Sequence, residues 1–246
     1  MPGGVRTEWL AETDSTNEEA RRLALAGERG PVWIAARRQS AGRGRRGRQW
    51  ADLTGNLYTT GLYVLDAKPG EAAQLSFAAA LAAAEACEAV IDRERVRLKW
   101  PNDVLIGGKK VCGVLLESGS APGGGLWLAV GIGLNLASHP RDVERPATDI
   151  AEEGGTLTQD AALERIATSF SAWLERWRTH GFGPLRDAWL ARAWGIGERC
   201  TARLQDETVE GIFADLMPDG SLRLDMANGQ RRLISAGDVF FPGIPG

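Results

Sequence analysis

The chain has 246 residues, a formal charge of -3, 43% hydrophobic residues and 25% charged residues, as expected for an ordinary globular protein. This weak negative charge provides no overall attraction to nucleic acids or anionic membranes, and no stretch is long and apolar enough to cross a bilayer. The first residues, Met1–Glu8, lack the apolar core of a signal peptide, so we expect a cytoplasmic protein. The three cysteines have no paired spacing, which supports neither a disulfide framework nor a zinc site.

The elements predicted in the first part of the chain are short strands and helices. Ser15 and Glu18 have the spacing of a capping box, which predicts a helix from this point to about Ala26. The predicted strands here are Val5–Leu10, Val32–Ala36 and Asn56–Val64, and a single long helix of high propensity is predicted over Glu71–Ile91.

The middle of the chain contains further apolar strands followed by two helices. Gly107 and Gly108 predict a tight turn between two of the strands. The predicted strands are Val96–Trp100, Val104–Ile106, Val111–Leu116 and Leu126–Leu134, and the predicted helices are Thr158–His180 and Pro184–Trp194.

The pattern changes near Gly195. From Arg199 onward, short alternating stretches are separated by turn signals, which predicts a small all-β barrel. We therefore place a domain boundary at residue 196, with one domain over residues 1–196 and the barrel over residues 197–246.

Glycines and arginines alternate between Gly42 and Arg48, directly before Trp50. Glycines let backbone N–H groups approach an anion, and arginines add permanent forked charge, so this segment suits a triphosphate or an adenylate. On composition alone, a solvated run or an RNA-binding segment is an equally good interpretation. No Gly-Lys-Ser/Thr follows, which excludes a P-loop. The like charges are expected to repel one another and to leave the loop mobile when no ligand is bound.

Three further segments carry candidate chemistry, each with an alternative structural explanation. Lys99–Asp103 follows an apolar strand, but a Trp-Pro pair is more often core packing and a turn. Lys110–Glu117 opens with a lysine that is more often a solvated strand end than a catalyst. Gly131–Asn135 contains two glycines within a strand, which indicate close approach of either a ligand or a packed helix.

Together and in this order, these segments resemble the biotin–protein ligase family, over about residues 7–150. The β-rich tail is similar to the C-terminal barrel of that family. The resemblance implies an α+β fold, with a mixed sheet and helices similar to class II aminoacyl-tRNA synthetases followed by a small SH3-like β-barrel. The matching motifs are the glycine-arginine loop ending at Trp50, Lys99–Asp103, Lys110–Glu117 and Gly131–Asn135, together with Asp14–Asn17, Gln39 and Asn56–Tyr58.

The resemblance also implies an activity. Such a ligase uses ATP and Mg²⁺ to activate biotin as biotinyl-5′-AMP and transfers it to a lysine of a biotin carboxyl carrier domain, in acetyl-CoA carboxylase or another biotin-dependent carboxylase. Many relatives carry a DNA-binding domain before the Ser-Thr-Asn motif, for which Ser15 leaves no room. We therefore expect the ligase-only form, without specific DNA binding or membrane contact, as a monomer or a homodimer.

Residue roles follow from the resemblance, position by position. Lys110 is implied as the catalytic lysine rather than Lys109, because the family spacing of lysine, two residues and glycine ends at Gly113. Lys110, Arg43 and Arg45 are the implied catalytic residues, and Asp103 the implied Mg²⁺ ligand. Biotin contacts are implied for Ser15, Thr16, Asn17, Gln39, Arg43, Gly44, Arg45, Lys110 and Gly113, with Gly131 and Gly133 leaving room for its ring. ATP contacts are implied for Arg45, Arg48, Trp50, Lys99, Asn102 and Asn135.

The implied chemistry needs no nucleophilic side chain. Adenylation brings a carboxylate against the α-phosphate, and cations must offset their repulsion. The acceptor lysine must then lose a proton, and the sequence does not identify the base. A lipoate–protein ligase or octanoyltransferase is the nearest alternative enzyme, although we find no Lys-Trp-Pro-Asn motif in those families. An RNA-binding protein is the non-enzyme alternative, which the negative charge and the single adjacent aromatic residue, Trp50, disfavour.

Overall fold

The computed structural model describes residues 5–141, 143 and 145–241. Short 3-10 turns lie at Arg45–Gly47 and Arg93–Arg95. The strands are β1 (Arg6–Leu10), β2 (Val32–Ala36), β3 (Leu57–Leu65), β4 (Val96–Lys99), β5 (Asp103–Ile106), β6 (Lys109–Ser120), β7 (Leu126–Leu134), β8 (Arg199–Arg203), β9 (Thr208–Leu216), β10 (Leu222–Asp225), β11 (Arg231–Ile234) and β12 (Asp238–Phe240). The helices are α1 (Thr16–Leu25), α2 (Pro69–Ala72), α3 (Leu75–Glu88), α4 (Gln159–His180) and α5 (Gly183–Leu190).

Within these ranges, seven strands form a mixed sheet in the order β1-β2-β3-β7-β6-β5-β4. β1 and β2 are parallel, because α1 lies between them in the chain and returns the backbone to the same edge. The other neighbouring strands are antiparallel, and Gly107 and Gly108 form the predicted β5–β6 turn with positive φ angles. The predicted α+β class is confirmed.

Helices cover both faces of this sheet. Along β2, Trp33 and Ala35 pack with α3 and α4, whereas Val32 and Ile34 face α1 on the opposite side. A strand that is covered on both faces has a continuous apolar sequence, as β2 has. Half of the residues of α3 are alanines and most of its side chains are buried, which lets the helix lie close to the sheet and to α4.

Two helix predictions are corrected by the structure. The single helix predicted over Glu71–Ile91 is divided into α2 and α3, because hydrogen bonds from residues 74, 76 and 77 reach back three residues rather than four. The helix predicted over Pro184–Trp194 ends at Leu190. After it, the backbone of Trp194 donates to Leu98 and that of Leu98 to Arg192, so these residues extend the edge of β4 instead.

The capping box predicted at Ser15 is also wrong. Ser15 occupies the N-cap position of α1 but makes no side-chain capping bond. The carboxylate of Glu18 instead bonds Arg21 and Arg43, so it does not reach back to the helix start.

The C-terminal residues form a second, five-stranded sheet in the order β11-β10-β9-β8-β12, which fits the predicted SH3-like domain. It packs against the first part of the chain: the ring centroids of Trp189 in α5 and Phe213 lie 6.5 Å apart, and the indole of Trp100, directly after β4, donates to Gly220 O at 3.1 Å. One hydrophobic core runs across both parts. The boundary at residue 196 therefore remains a proposal, three residues before β8 begins.

Candidate active site

A cavity of about 420 Å³ lies where the start of α1 meets β6, β7 and the segment Gly42–Trp50, which we call the arginine loop. Residues that are far apart in the sequence converge here. The predicted site residues that line it are Ser15, Thr16, Asn17, Gln39, Arg43, Gly44, Arg45, Arg48, Trp50, Asn102, Asp103, Lys110, Gly113, Gly131, Gly133 and Asn135.

Buried polar side chains form a hydrogen-bonded network on the α1 side of the cavity. The hydroxyl of Thr60 lies 2.8 Å from Thr16 Oγ1 and 2.7 Å from Asn17 Oδ1. Gln39 Oε1 accepts from the backbone N–H of Thr16 at 2.8 Å and from its hydroxyl at 3.1 Å. The Asn17 amide donates to Glu117 at 2.7 Å. This side of the cavity therefore offers both donors and acceptors to a small polar ring.

The glycines of β6 and β7 make room for protein side chains. A Cβ atom at Gly131 would lie 2.1 Å from Asn17 Oδ1, and one at Gly133 would lie 2.5 Å from the Trp50 indole. A Cβ at Gly113 would lie 2.8 Å from the same indole. Gly131 and Gly133 both line the cavity, with Asn17 and Trp50 beside them, and their role in leaving room for a biotin ring stays a prediction.

Acidic partners hold the first arginine of the arginine loop. Arg43 lies 3.1 Å from Glu18 and 3.6 Å from Glu117, both on the α1 side of the cavity. Because Glu117 also accepts from Asn17, the guanidinium of Arg43 stands beside the polar network. A negatively charged ligand in this region would compete with these two carboxylates for Arg43.

The later arginines of the loop contact the C-terminal sheet. Arg48 donates to both carboxylate oxygens of Asp238, at 2.9 and 3.1 Å, and Arg45 donates to Gly237 O at 3.2 Å. Burial raises the pKa of Asp238, but the hydrogen bond from Arg48 and the charges of Arg145 and Arg45 outweigh it, so this pKa lies below its ordinary value. The loop is thus paired with carboxylates at both ends, which offsets the mutual repulsion expected from its sequence.

Lys110 and Asp103 form a close ion pair on the cavity wall. Lys110 Nζ lies 2.5 Å from Asp103 Oδ1 and 5.3 Å from the centroid of the Trp50 ring. Next to the pair in the chain, the side-chain amide of Asn102 is held by donating to Val114 O of β6 at 2.5 Å. Asn135 is likewise held, with its amide donating to Thr148 O at 3.0 Å.

Lys99 is the one predicted site residue that does not line the cavity. It is 8% exposed, and its ammonium stands 5.7 Å from the centroid of the Phe240 ring. Burial, assisted by the charge of Arg145, lowers the pKa of Lys99 to about 8. In this structure Lys99 lies behind the cavity wall, and its contact with ATP stays a prediction.

Sequence reasoning missed several residues of the site. Pro140, Val143, Arg145 and Ala147 line the cavity from a segment between β7 and α4 that has no periodic pattern. Asp238 begins β12 in the turn-rich C-terminal part of the chain. None of them has a local sequence signal, because each acquires its position only when distant segments meet.

Comparisons with known proteins agree with this geometry. The model of the biotin/lipoate A/B protein ligase family matches residues 9–136, and that of the biotin protein ligase C-terminal domain matches residues 195–241. The chain therefore belongs to the biotin/lipoate A/B protein ligase family.

Individual relatives resemble the chain over nearly its whole length. It is 44% identical to a biotin–acetyl-CoA-carboxylase ligase of Paracoccus denitrificans, over 95% of this chain and 100% of the relative. It is 32% identical to the ligase of that name from Mycobacterium tuberculosis, over 94% and 86% of the two chains. The solved structure of the biotin protein ligase of Aquifex aeolicus in complex with biotin and ATP superimposes with a TM-score of 0.81 at 29% identity, covering 96% of this chain and 97% of that one.

Membrane-spanning helices are absent from the described part of the chain, where each helix is too short or too polar to cross a bilayer.

Proposed function

We propose that this protein activates biotin with ATP as biotinyl-5′-AMP and then transfers the biotinyl group to a lysine of a biotin carboxyl carrier domain, in acetyl-CoA carboxylase or another biotin-dependent carboxylase. The observation that carries the proposal is a single cavity in which a polar network adjoins a cluster of cations. Of the described residues that line it, Arg43, Arg45, Arg48, Lys110 and Arg145 are cationic and only Asp103 is anionic.

The polar network is assigned to the biotin ring. The ureido group of biotin has two N–H donors and a carbonyl acceptor, and Ser15, Thr16, Asn17 and Gln39 offer partners for them. The dithiolane ring of lipoate has no such groups and would leave these buried side chains without a ligand partner. A site built to hydrogen-bond a substrate discriminates strongly against an analogue that cannot. We therefore assign biotin rather than lipoate.

The cations are assigned to the adenylation step. The biotin carboxylate attacks the α-phosphate of ATP, the bond between the α- and β-phosphates breaks, and pyrophosphate leaves. Arg43 stands beside the polar network and Lys110 on the wall next to it, where both can offset the repulsion between the two anions. Arg45 joins them from the barrel side of the loop. One preorganised donor of this kind lowers a barrier by about 3–4 kcal/mol.

The apolar part of the wall is assigned to the adenine base. Trp50, Pro140, Val143 and Ala147 line the cavity and provide an aromatic and aliphatic surface. Asn102 and Asn135 stand nearby as polar groups, and Arg48 borders the phosphates. Lys99 contributes through its charge behind the wall.

Asp103 fits the role of a Mg²⁺ ligand. Its Oδ1 atom is buried and already partners a cation, the ammonium of Lys110 at 2.5 Å, and its carboxylate faces the cavity. Mg²⁺ is usually bound by one or two carboxylates together with substrate phosphates and water. When bound, it neutralises charge that develops on the phosphates.

The transfer step requires a base for the acceptor lysine. Among the described residues that line the cavity, Asp103 alone carries a carboxylate, so we assign proton acceptance to it. The neutral amine then attacks the mixed anhydride, and AMP leaves with its electron pair on the phosphate oxygen. Lys110, 2.5 Å from Asp103, stabilises the departing phosphate.

Transfer to a carrier domain tests the proposal. Purified protein is incubated with biotin and a biotin carboxyl carrier domain, with and without ATP, and the mass of the carrier is measured. Addition of one biotinyl group only with ATP is expected. Parallel ATP–pyrophosphate exchange with biotin or lipoate identifies the substrate, and exchange driven by lipoate but not biotin would contradict the assignment. A cytoplasmic location is part of the proposal, because ATP is available there.

A further inference from the structure

Arg145 is a half-buried cation, with a side chain that is 17% exposed, whose hydrogen-bonding capacity is not met. Its Nε and Nη2 atoms are inaccessible to solvent and make no hydrogen bond to another described residue. The nearest carboxylate oxygens are 3.7 Å from Nη1, on Asp103, and 3.5 Å from Nη2, on Asp238, which is too long for hydrogen bonds. Buried guanidinium donors without partners are unfavourable, so their persistence at a cavity wall indicates a ligand that supplies acceptors.

The surroundings of Arg145 fix its orientation. Its guanidinium carbon lies 4.7 Å from the centroid of the Phe240 ring, which provides a flat support from the C-terminal sheet. Asp238 joins it to Arg48, and Asp103 joins it to Lys110. Arg145 therefore belongs to the barrel side of the cavity, whereas Arg43 belongs to the α1 side with the polar network.

The geometry of displacement at phosphorus determines which phosphates of ATP can lie on each of these two sides of the cavity. In a displacement at phosphorus, the attacking and leaving oxygens lie roughly in line on opposite sides of the phosphorus atom. If the carboxylate attacks from the side of the polar network, pyrophosphate departs away from it. The apolar wall suits the adenine base, so the remaining cationic region on the barrel side is left for the β- and γ-phosphates.

We propose that Arg145 is a further catalytic residue, which binds the β- and γ-phosphates of ATP and the pyrophosphate that leaves. This inference rests on the proposed adenylation reaction. Its nitrogen atoms find acceptors in the phosphate oxygens, and the developing charge on the leaving group strengthens those bonds. Since biotinyl-5′-AMP has lost these phosphates, Arg145 serves only the first half-reaction.

Separate assays of the two half-reactions test this role. In Arg145→Gln, kcat/KM for ATP in adenylation is expected to fall about 10- to 100-fold, the loss for one charge-assisted hydrogen bond or two. Transfer from chemically prepared biotinyl-5′-AMP to the carrier domain is expected to stay within about twofold of wild type. In Arg145→Gln, inhibition of adenylation by added inorganic pyrophosphate should weaken by a factor similar to the loss in kcat/KM. Arg145→Lys should recover part of both the activity and the inhibition.

Arg203→Gln is the matched control, because the Arg203 guanidinium lies over the same Phe240 ring, at 4.1 Å, without lining the cavity. It should leave both half-reactions unchanged. Equal losses in both half-reactions of Arg145→Gln, or unaltered pyrophosphate inhibition, would overturn the proposal. Calorimetric binding of inorganic pyrophosphate to wild type and Arg145→Gln tests the inference independently, since it needs no turnover. A wild-type protein that binds pyrophosphate through Arg145 but adenylates no biotin would contradict the proposed function alone.

Discussion

Replacing Lys99 by methionine should stabilise the protein at neutral pH. Burial lowers the pKa of Lys99 from 10.5 to about 8, so the folded state binds the proton less tightly than the unfolded state. Below pH 8 the lysine is charged in both states, and the cost of burying that charge is present in full. At about 1.4 kcal/mol per pKa unit, the shift corresponds to about 3 kcal/mol. Methionine has a similar length and no charge to bury.

The dependence on pH distinguishes this explanation from a simple packing effect. Between pH 8 and 10.5 the unfolded state holds a proton that the folded state has lost, so the unfolding free energy of the wild type rises with pH relative to the variant. Urea unfolding at pH 7 and at about pH 9.5 measures the difference. The advantage of Lys99→Met should shrink from about 3 kcal/mol to about 1 kcal/mol between these values.

Lys68→Met is the matched control, because Lys68 is an exposed lysine. It should change the unfolding free energy by less than about 0.5 kcal/mol at either pH. The reasoning is refuted if Lys99→Met is less stable than wild type at pH 7, or if its advantage is the same at both pH values.

Three more substitutions test the site. Lys110→Ala should reduce biotin-dependent pyrophosphate release at least about a hundredfold, with a nearly unchanged melting temperature, and full activity would contradict the catalytic assignment. Arg45→Gly should still form adenylate but retain it about thirtyfold less well, as measured by labelling of serum albumin, and wild-type labelling would exclude a retaining role. Gly133→Ala places a Cβ 2.5 Å from the Trp50 indole and should lower the free energy of unfolding in urea by about 1–3 kcal/mol. Gly70→Ala is the control, because its Cβ would meet nothing within 4 Å. Equal effects of the two substitutions would show that Trp50 moves freely.

Periodicity and turn chemistry predicted the elements whose determinants are local. The strand Leu126–Leu134 was predicted with its observed bounds, because a buried apolar run is bounded by a glycine turn on one side and by Asn135 on the other. The break before α3 was not predictable in this way. Gln74, at the break, donates to Pro218 O and accepts from the indole of Trp177, two contacts that no local window contains.

The candidate site was likewise predictable from the sequence only where its residues belong to local motifs. The resemblance to the ligase family identified the residues of β6 and β7 that line the cavity, because their spacing in the sequence matches the motifs of that family. Arg145 and Asp238 were missed, since they lie in irregular or turn-rich segments and acquire their charge environment from residues elsewhere. The arginine loop was expected to be dominated by repulsion because its counter-charges, Glu18, Glu117 and Asp238, lie outside it in the sequence.

The pairing of Arg48 with Asp238 joins residues 190 positions apart in the chain. At a synthesis rate of roughly 5–20 residues per second, Arg48 is added to the chain about 10–40 s before Asp238. During that interval the loop has its arginines but not the carboxylate that anchors them to the C-terminal sheet. Until β12 is synthesised, the arginine loop therefore lacks its link to the C-terminal sheet.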